Sequence, residues 1–190
     1  FTEWNPVLIV NKLIRGSSTV KDVQMLLERH GLKVNTLDRN ADLSDPDLYE
    51  VLMQHYLGKG RFVIWLSSMM SAVEQQAVSR YALKGGRILL ATQSIAHSPS
   101  VFDFKEKILG IGQYIRWAGS GEFETARGEG DDGKIPFASV VPETGTEPVL
   151  VDIEGRVAAV RLDAGEFRTV FVGLDLRRTS AESRQRLLGE

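Results

Sequence analysis

The stretch 84-KGGRILLATQSIAHSP-99 sends an apolar run into Gln93 and Ser94, with His97 three residues further on. A serine at a strand exit with a histidine nearby is the raw material for a hydroxyl nucleophile and its base. Serine is a weak nucleophile at neutral pH unless a positioned base takes its proton. Three residues of separation do not supply that position, and the G-x-S-x-G elbow is absent. A cheaper reading is that Thr92, Gln93 and Ser94 cap the strand and hydrogen-bond around the next loop. Ser67 and Ser68 close a second apolar run, and Asn11 closes the first. Together with Gln93 and Ser94 they form a small polar set for the carboxyl edge of a sheet, where open α/β folds bind ligands. Such a set suits a sugar, a peptide or a loop of another domain. It equally suits satisfying the strand ends themselves. Asp175 and Arg177 join this rim if the last strand is central; otherwise they make a surface or interdomain ion pair. The ligand- or partner-binding candidates are thus Asn11, Ser67, Ser68, Gln93, Ser94, His97, Asp175 and Arg177, and no catalytic residue is assigned.

Other chemistries have less support. The chain has no cysteine, which excludes disulfides, thiolate metal sites and a thiol nucleophile. His30, His55 and His97 lack any metal-binding spacing. His30 precedes Gly31 and suits the carbonyl end of a helix. Asp38, at the end of a strand, sits where dinucleotide folds bind ribose. The first connection, 11-NKLIRGSS-18, has a single glycine and no G-x-G-x-x-G fingerprint. Its amides, with Ser17 and Ser18, could approach an anion, but an ordinary turn explains the same residues. No cofactor is expected. Lys and Arg number 23 against 25 Asp and Glu, a formal charge of -2. That balance argues against a nucleic-acid surface, and the local Arg177, Arg178, Arg184 and Arg186 cluster does not change it. Trp4, Trp65 and Trp117 form no aromatic ladder; Trp65 reads as core.

The elements that would hold these residues alternate regularly in the first half. Val7–Val10 reads as a strand, Thr19 and Asp22 as a capping pair before a helical face of Val20, Val23, Leu26 and Leu27, and Gly31 as its stop. Next come a strand at 33-KVNTLD-38, a second capping pair at Ser44 and Asp47 with Pro46, and a helical face through Leu52 and Tyr56. The run 61-RFVIWLSS-68 is continuously apolar, as expected of a strand covered on both sides. Ser71 and Glu74 form a third capping box, and the helix after it stops at Gly85 and Gly86 before the strand Ile88–Ala91. Strands alternating with helices imply right-handed crossovers and a parallel, doubly wound sheet.

The second half is less regular. Val101–Leu109 reads as a short helix stopped at Gly110. The stretch 119-GSGEFETARGEGDDGKIP-136 is rich in Gly and charge and reads as an excursion or mobile loop. Three strand-like runs follow within 149–176, with turns at Glu154–Gly155 and Ala164–Gly165, and Ser180–Leu188 reads as a terminal helix. The fold class is therefore α/β, a mainly parallel doubly wound sheet with a C-terminal antiparallel meander joining it. One domain, 1–190, accounts for the length. The start lacks both an initiator Met and a signal-peptide pattern, so the domain reads as excised from a longer protein. No apolar run approaches a membrane span.

The runs 61-RFVIWLSS-68, 81-YALKGGRILLA-91 and 168-RTVFVGLDLRR-178 resemble the class I glutamine amidotransferase-like fold, a flavodoxin-like relative that includes ThuA-related domains; the resemblance implies a flavodoxin-like sheet. They look most like non-catalytic versions embedded in large bacterial proteins, some of them membrane-associated or exported. Catalytic members present Cys at a strand–helix elbow, backed by His and Glu. Here the corresponding exit is Thr92-Gln93-Ser94, and the late exit Gly173-Leu174-Asp175-Leu176 carries no His. Glutaminase chemistry therefore does not carry over. The resemblance implies a non-enzymatic binding or interdomain scaffolding module, with a protein domain or a neighbouring domain of the parent chain as partner. A small-ligand domain for a carbohydrate or phosphorylated compound, and an unusual hydrolase using Ser94, stand as alternatives.

Overall fold

Two apolar runs in the sequence become adjacent interior strands of the sheet. The computed structural model describes residues 7–13, 18–38, 52, 62–95, 103–116, 118–128 and 133–184. Strand β1 (Val7–Lys12) and strand β3 (Phe62–Ser67) pair in parallel, and each is almost wholly buried. Alternation sends Leu8, Val10, Val63 and Trp65 to one face and Val7, Ile9, Ile64 and Leu66 to the other. Both faces are covered, so both strands must be continuously apolar. Helix α1 (Ser18–Arg29) packs Val20, Val23 and Leu27 on the second face. Helix α2 (Ala72–Leu83) packs Val78, Tyr81 and Ala82 on the first.

Strand β2 (Val34–Asp38) lies outside β1, and β4 (Arg87–Thr92) pairs with β3. Of the later strands, β5 is Ile111–Ile115, β6 Ser120–Gly121, β7 Ile135–Pro136 and β8 Ser139–Pro142. Then come β9 (Thr146–Val151), β10 (Val157–Asp163) and β11 (Arg168–Val172). Among the described residues nine strands make one sheet in the order β2-β1-β3-β4-β11-β10-β8-β5, with β9 pairing to β10. From β2 to β11 neighbours run parallel; beyond β11 they run antiparallel. This is the doubly wound flavodoxin-like sheet, and the meander β9-β10-β11 feeds its last strand beside β4.

Local chemistry fixes several boundaries. Ser71 and Glu74 close a reciprocal capping box at the start of α2. Beyond its end, Gly85 takes a positive φ of 89°, while a Cβ on Gly86 would strike the Tyr81 ring. The double glycine thus does two separate jobs. Thr19 and Asp22, by contrast, are not a cap. Helix α1 already runs from Ser18, Thr19 is buried within it, and Asp22 pairs with Arg184. The expected helix at 101–109 is a π-helical turn over Phe104–Ile108, ended by Gly110 at φ +68°. The pair at Ser44 and Asp47 lies outside the described residues, as does its helix apart from the buried, helical Leu52. Of the terminal helix, residues 181–184 are helical and the remainder lies outside the described residues.

The excursion, as far as it is described, is packed rather than free. Strands β6 and β7 pair with each other, and Phe123, Ala126 and Ile135 are buried. The Phe123 ring stands edge-on to Phe137 at 5.3 Å, and the Arg156 guanidinium lies 4.9 Å above the Phe137 ring. Arg156 also binds the buried Asp152 carboxylate and the Ala118 carbonyl. At its other end the Arg127 amide donates to Ser183 Oγ, and Gly128 bridges to Thr179. The excursion packs against the same sheet face as α1.

Candidate functional site

The carboxyl edge of the sheet is where the candidate residues were expected to meet. They do so only in part. Asn11 faces the outer strand: its Nδ2 donates to Asp38 Oδ1 at 2.5 Å, and its Oδ1 accepts the Leu13 amide. That pair ties the exits of β1 and β2 together and occupies Asp38. Ser67, Ser68, Gln93, Asp175 and Arg177 line one cleft with Leu13, Leu66 and Leu174. Its cavity volume is about 10 Å³, enough for about one water and no more. Ser94 does not line it, and His97 lies outside the described residues.

The end of the excursion is bonded to three of the residues that line the cleft, Gln93, Leu174 and Asp175. Phe137 bridges to Leu174, and the Ala138 amide donates to the Gly173 carbonyl at 2.9 Å. The Pro136 carbonyl accepts both the Asp175 amide and Gln93 Nε2, the latter at 3.2 Å. Gln93, one of the rim candidates, spends its side-chain amide on the protein's own backbone. Asp175 caps the 3-10 turn Leu176–Arg178 by accepting the Arg177 amide. Its carboxylate also holds the Arg177 guanidinium through two hydrogen bonds, at 2.9 and 3.0 Å. The charge of this pair is internally balanced, and Arg177 remains partly exposed at the cleft mouth.

Ser94 is held as part of a turn. Thr92 Oγ1 accepts the Ser94 amide and donates to the Ser94 carbonyl. The same carbonyl accepts the Met70 amide at 2.8 Å, next to a parallel bridge between Met70 and Ile95. Ser94 is 3% exposed and its hydroxyl has no hydrogen-bond partner; the Ser67 hydroxyl is in the same condition. An unpaired buried hydroxyl forfeits its water contacts for nothing. Ser94→Ala should therefore leave stability unchanged or raise it by up to about 1 kcal/mol, as urea denaturation would measure.

Two residues at this edge were not singled out in the sequence. Lys12 is the register partner of Ser67 and points to the same side of the sheet, where it pairs with the buried Glu74 of the capping box. Glu74 thus serves helix and strand at once. Its spacing from Ser71 shows the first role; nothing local shows the second. Tyr114 donates its hydroxyl to the Gln93 carbonyl at 2.5 Å. Burial raises this hydroxyl above its ordinary value near 10, against weaker opposing effects of the Ile95 backbone and Arg116. The unfolded chain then ionises first as pH rises. The associated stability is fully present below about pH 10 and is lost above it. Tyr114→Phe should cost about 1–2 kcal/mol at neutral pH, since the Gln93 carbonyl loses its donor, and should flatten the alkaline loss. Denaturation at neutral and alkaline pH measures both effects.

Among the described residues no cluster of three or more His, Asp or Glu side chains could hold a metal ion. Nor is any described helix long and apolar enough to cross a membrane.

No family model matches the sequence, and no curated protein matches it. Solved structures do. One is the exo-β-1,4-mannosidase Op5Man5 from Opitutaceae bacterium strain TAV5, at 14% identity and a TM-score of 0.54 over 99% of this chain. The match spans 33% of that protein, so this chain corresponds to about a third of it. Another is a putative GMP synthase protein from Thermoplasma acidophilum, at 9% identity and a TM-score of 0.53, covering 96% of this chain and 92% of the other. At these identities the shared property is the fold.

Proposed function

We propose that this chain is a non-catalytic module of class I glutamine amidotransferase-like architecture, which binds or orients a neighbouring domain of a larger bacterial protein. The carrying observation is the filled β4 exit. Where the fold places a nucleophile, Ser94 has a buried hydroxyl without a partner, and Gln93 is bound to Pro136. A working serine needs a base within hydrogen-bond reach and a space for the reacting carbonyl; the adjacent cleft has room for about one water. The mannosidase comparison supports the modular setting, since this fold occupies a third of that chain. A membrane-associated or exported parent remains part of the proposal.

The surface best suited to a neighbouring domain is the outward side of β9 and the turn after it. Val149, Val151 and Ile153 are 55%, 42% and 65% exposed, beside the start of the excursion, where the Ile153 amide donates to the Glu122 carbonyl. Contiguous exposed aliphatics of this kind mark contact surfaces. In the full-length parent, Val149→Lys with Ile153→Lys should expose the domain junction to limited proteolysis, while Ser94→Ala should behave as wild type in every activity of the parent. Turnover that disappears with Ser94→Ala would overturn the reading, as would a junction indifferent to the lysines.

A further inference from the structure

Strand β5 ends the strand order of the large sheet, and among the described residues only β8 pairs with it. Its other edge presents unpaired N–H and C=O groups, a template for a further strand. The edge of β9 is blunted by contrast: Pro148 has no N–H to donate, and the register of β9 with β10 is broken twice. Strand β5 carries no proline and no charge, and its own register shift ends before Gln113. The stretch Gln113–Ile115 is thus regular. Gln113 is the register partner of Val141, which puts Gln113, Ile115 and Val141 on one face. Ile115 and Val141 are 45% and 49% exposed there, an apolar patch that runs up to the unpaired edge. The two ends of β5 differ in charge. The exposed Arg116 follows its last residue. Near its first residue, a Cβ on Gly112 would lie 2.3 Å from Glu143 Oε1, so that carboxylate rests against the start of the strand. Neither Arg116 nor Glu143 makes an ion pair among the described residues.

We propose that two copies of this chain pair through this edge, β5 against β5 in antiparallel register about Tyr114, so that the sheet continues across a two-fold axis. The arrangement is self-complementary. Gln113 of one copy stands opposite Ile115 of the other, and the apolar patches at Ile115 and Val141 meet across the axis. Antiparallel pairing also brings the Arg116 end of each strand beside the Glu143 end of the other. The unpaired charges of the two copies then form two equivalent ion pairs. A foreign strand without such charges at its ends would leave both unanswered. This surface differs from the β9 side assigned to a neighbouring domain and does not rest on that reading.

Sedimentation of the chain should show a reversible monomer–dimer equilibrium with a dissociation constant on the order of 10 μM. Arg116→Glu places like charges at each end of the paired strands and should weaken the dimer about tenfold or more. Glu143→Lys should do the same, and the two changes together should recover most of the loss. The chain has no cysteine, so introduced cysteines report the register. An equal mixture of Gln113→Cys and Ile115→Cys chains should oxidise to a linked heterodimer in preference to either homodimer. Opposed residues of an antiparallel pair lie about 4.5–5.5 Å apart between Cα atoms, within the span of a disulfide. A chain that stays monomeric up to about 100 μM, a dimer indifferent to the single charge reversals or unrescued by the double one, or cross-linking without preference for the mixed pair would each overturn the proposal.

Discussion

Replacing Arg184 with alanine is expected to cost about 3–5 kcal/mol of folding stability, the range for removing one partner of a buried charge pair. Arg184 is 3% exposed. Its guanidinium donates to the Asp22 carboxylate at 2.6 Å, to the Leu176 carbonyl at 3.0 Å, and to the Thr179 carbonyl. One side chain therefore joins α1 to the turn after β11 and to the C-terminal helical segment. Alanine would leave the Asp22 carboxylate, on an element 162 residues away in sequence, without its counter-charge. It would also leave two carbonyls without their donor. Arg184→Lys should recover only part of the loss, because an ammonium on a flexible stem cannot present a planar fork to three acceptors. Asp22→Asn should cost less than Arg184→Ala, since the amide oxygen still accepts. The two changes together should cost less than their sum, because they remove one shared interaction. Urea denaturation of the four proteins measures all of this; strict additivity would mean that the pair is not energetically coupled.

The sheet was legible in the sequence because its cause is local. Continuous apolar runs such as 61-RFVIWLSS-68 can exist only between two covered faces, and the capping box at Ser71 and Glu74 states where α2 begins. The double glycine at 85 and 86 marked the helix end for the same reason, although the Tyr81 ring against Gly86 becomes visible only in three dimensions. The candidate rim was less legible because sequence position does not specify neighbours across strands. Asn11 and Gln93 both end strands, yet one is spent on Asp38 and the other on Pro136, 43 residues away. The excursion was misleading for a compositional reason. Its glycines and charges outnumber Phe123, Ala126 and Ile135, but these three bury their side chains. Asp22 at the third position from a threonine imitated a capping pair, whereas its partner lies at the other end of the chain. Long-range pairing of this kind leaves no local pattern.

Gly173→Ala should be the most informative substitution at the candidate site, costing about 2–4 kcal/mol through overpacking. Gly173 follows β11, and a Cβ there would lie 2.5 Å from the Ala138 carbonyl oxygen and 3.1 Å from that of Ala158. Both obstacles are backbone, and both are fixed. The Gly173 amide donates to the Ala158 carbonyl at 2.8 Å, and the Gly173 carbonyl accepts the Ala138 amide at 2.9 Å. The less anchored side should yield, which is the crossing segment 135–138 rather than β10 within the sheet. Its displacement would free the Pro136 carbonyl from Gln93 and Asp175, open the cleft beyond one water, and expose Phe137, now fully buried. Amide exchange should accordingly quicken at Ala138 and Asp175 while β1 and β3 keep their protection. Gly155→Ala provides the contrast. Gly155 has a positive φ of 83° but open space around it, so alanine there should cost about 1–2 kcal/mol of backbone strain without altering exchange at the rim. If Gly173→Ala left the Ala138 amide as protected as in the wild type, the crossing segment would not be what closes the carboxyl edge, and the strand-exit serines would have to be reconsidered as an accessible site.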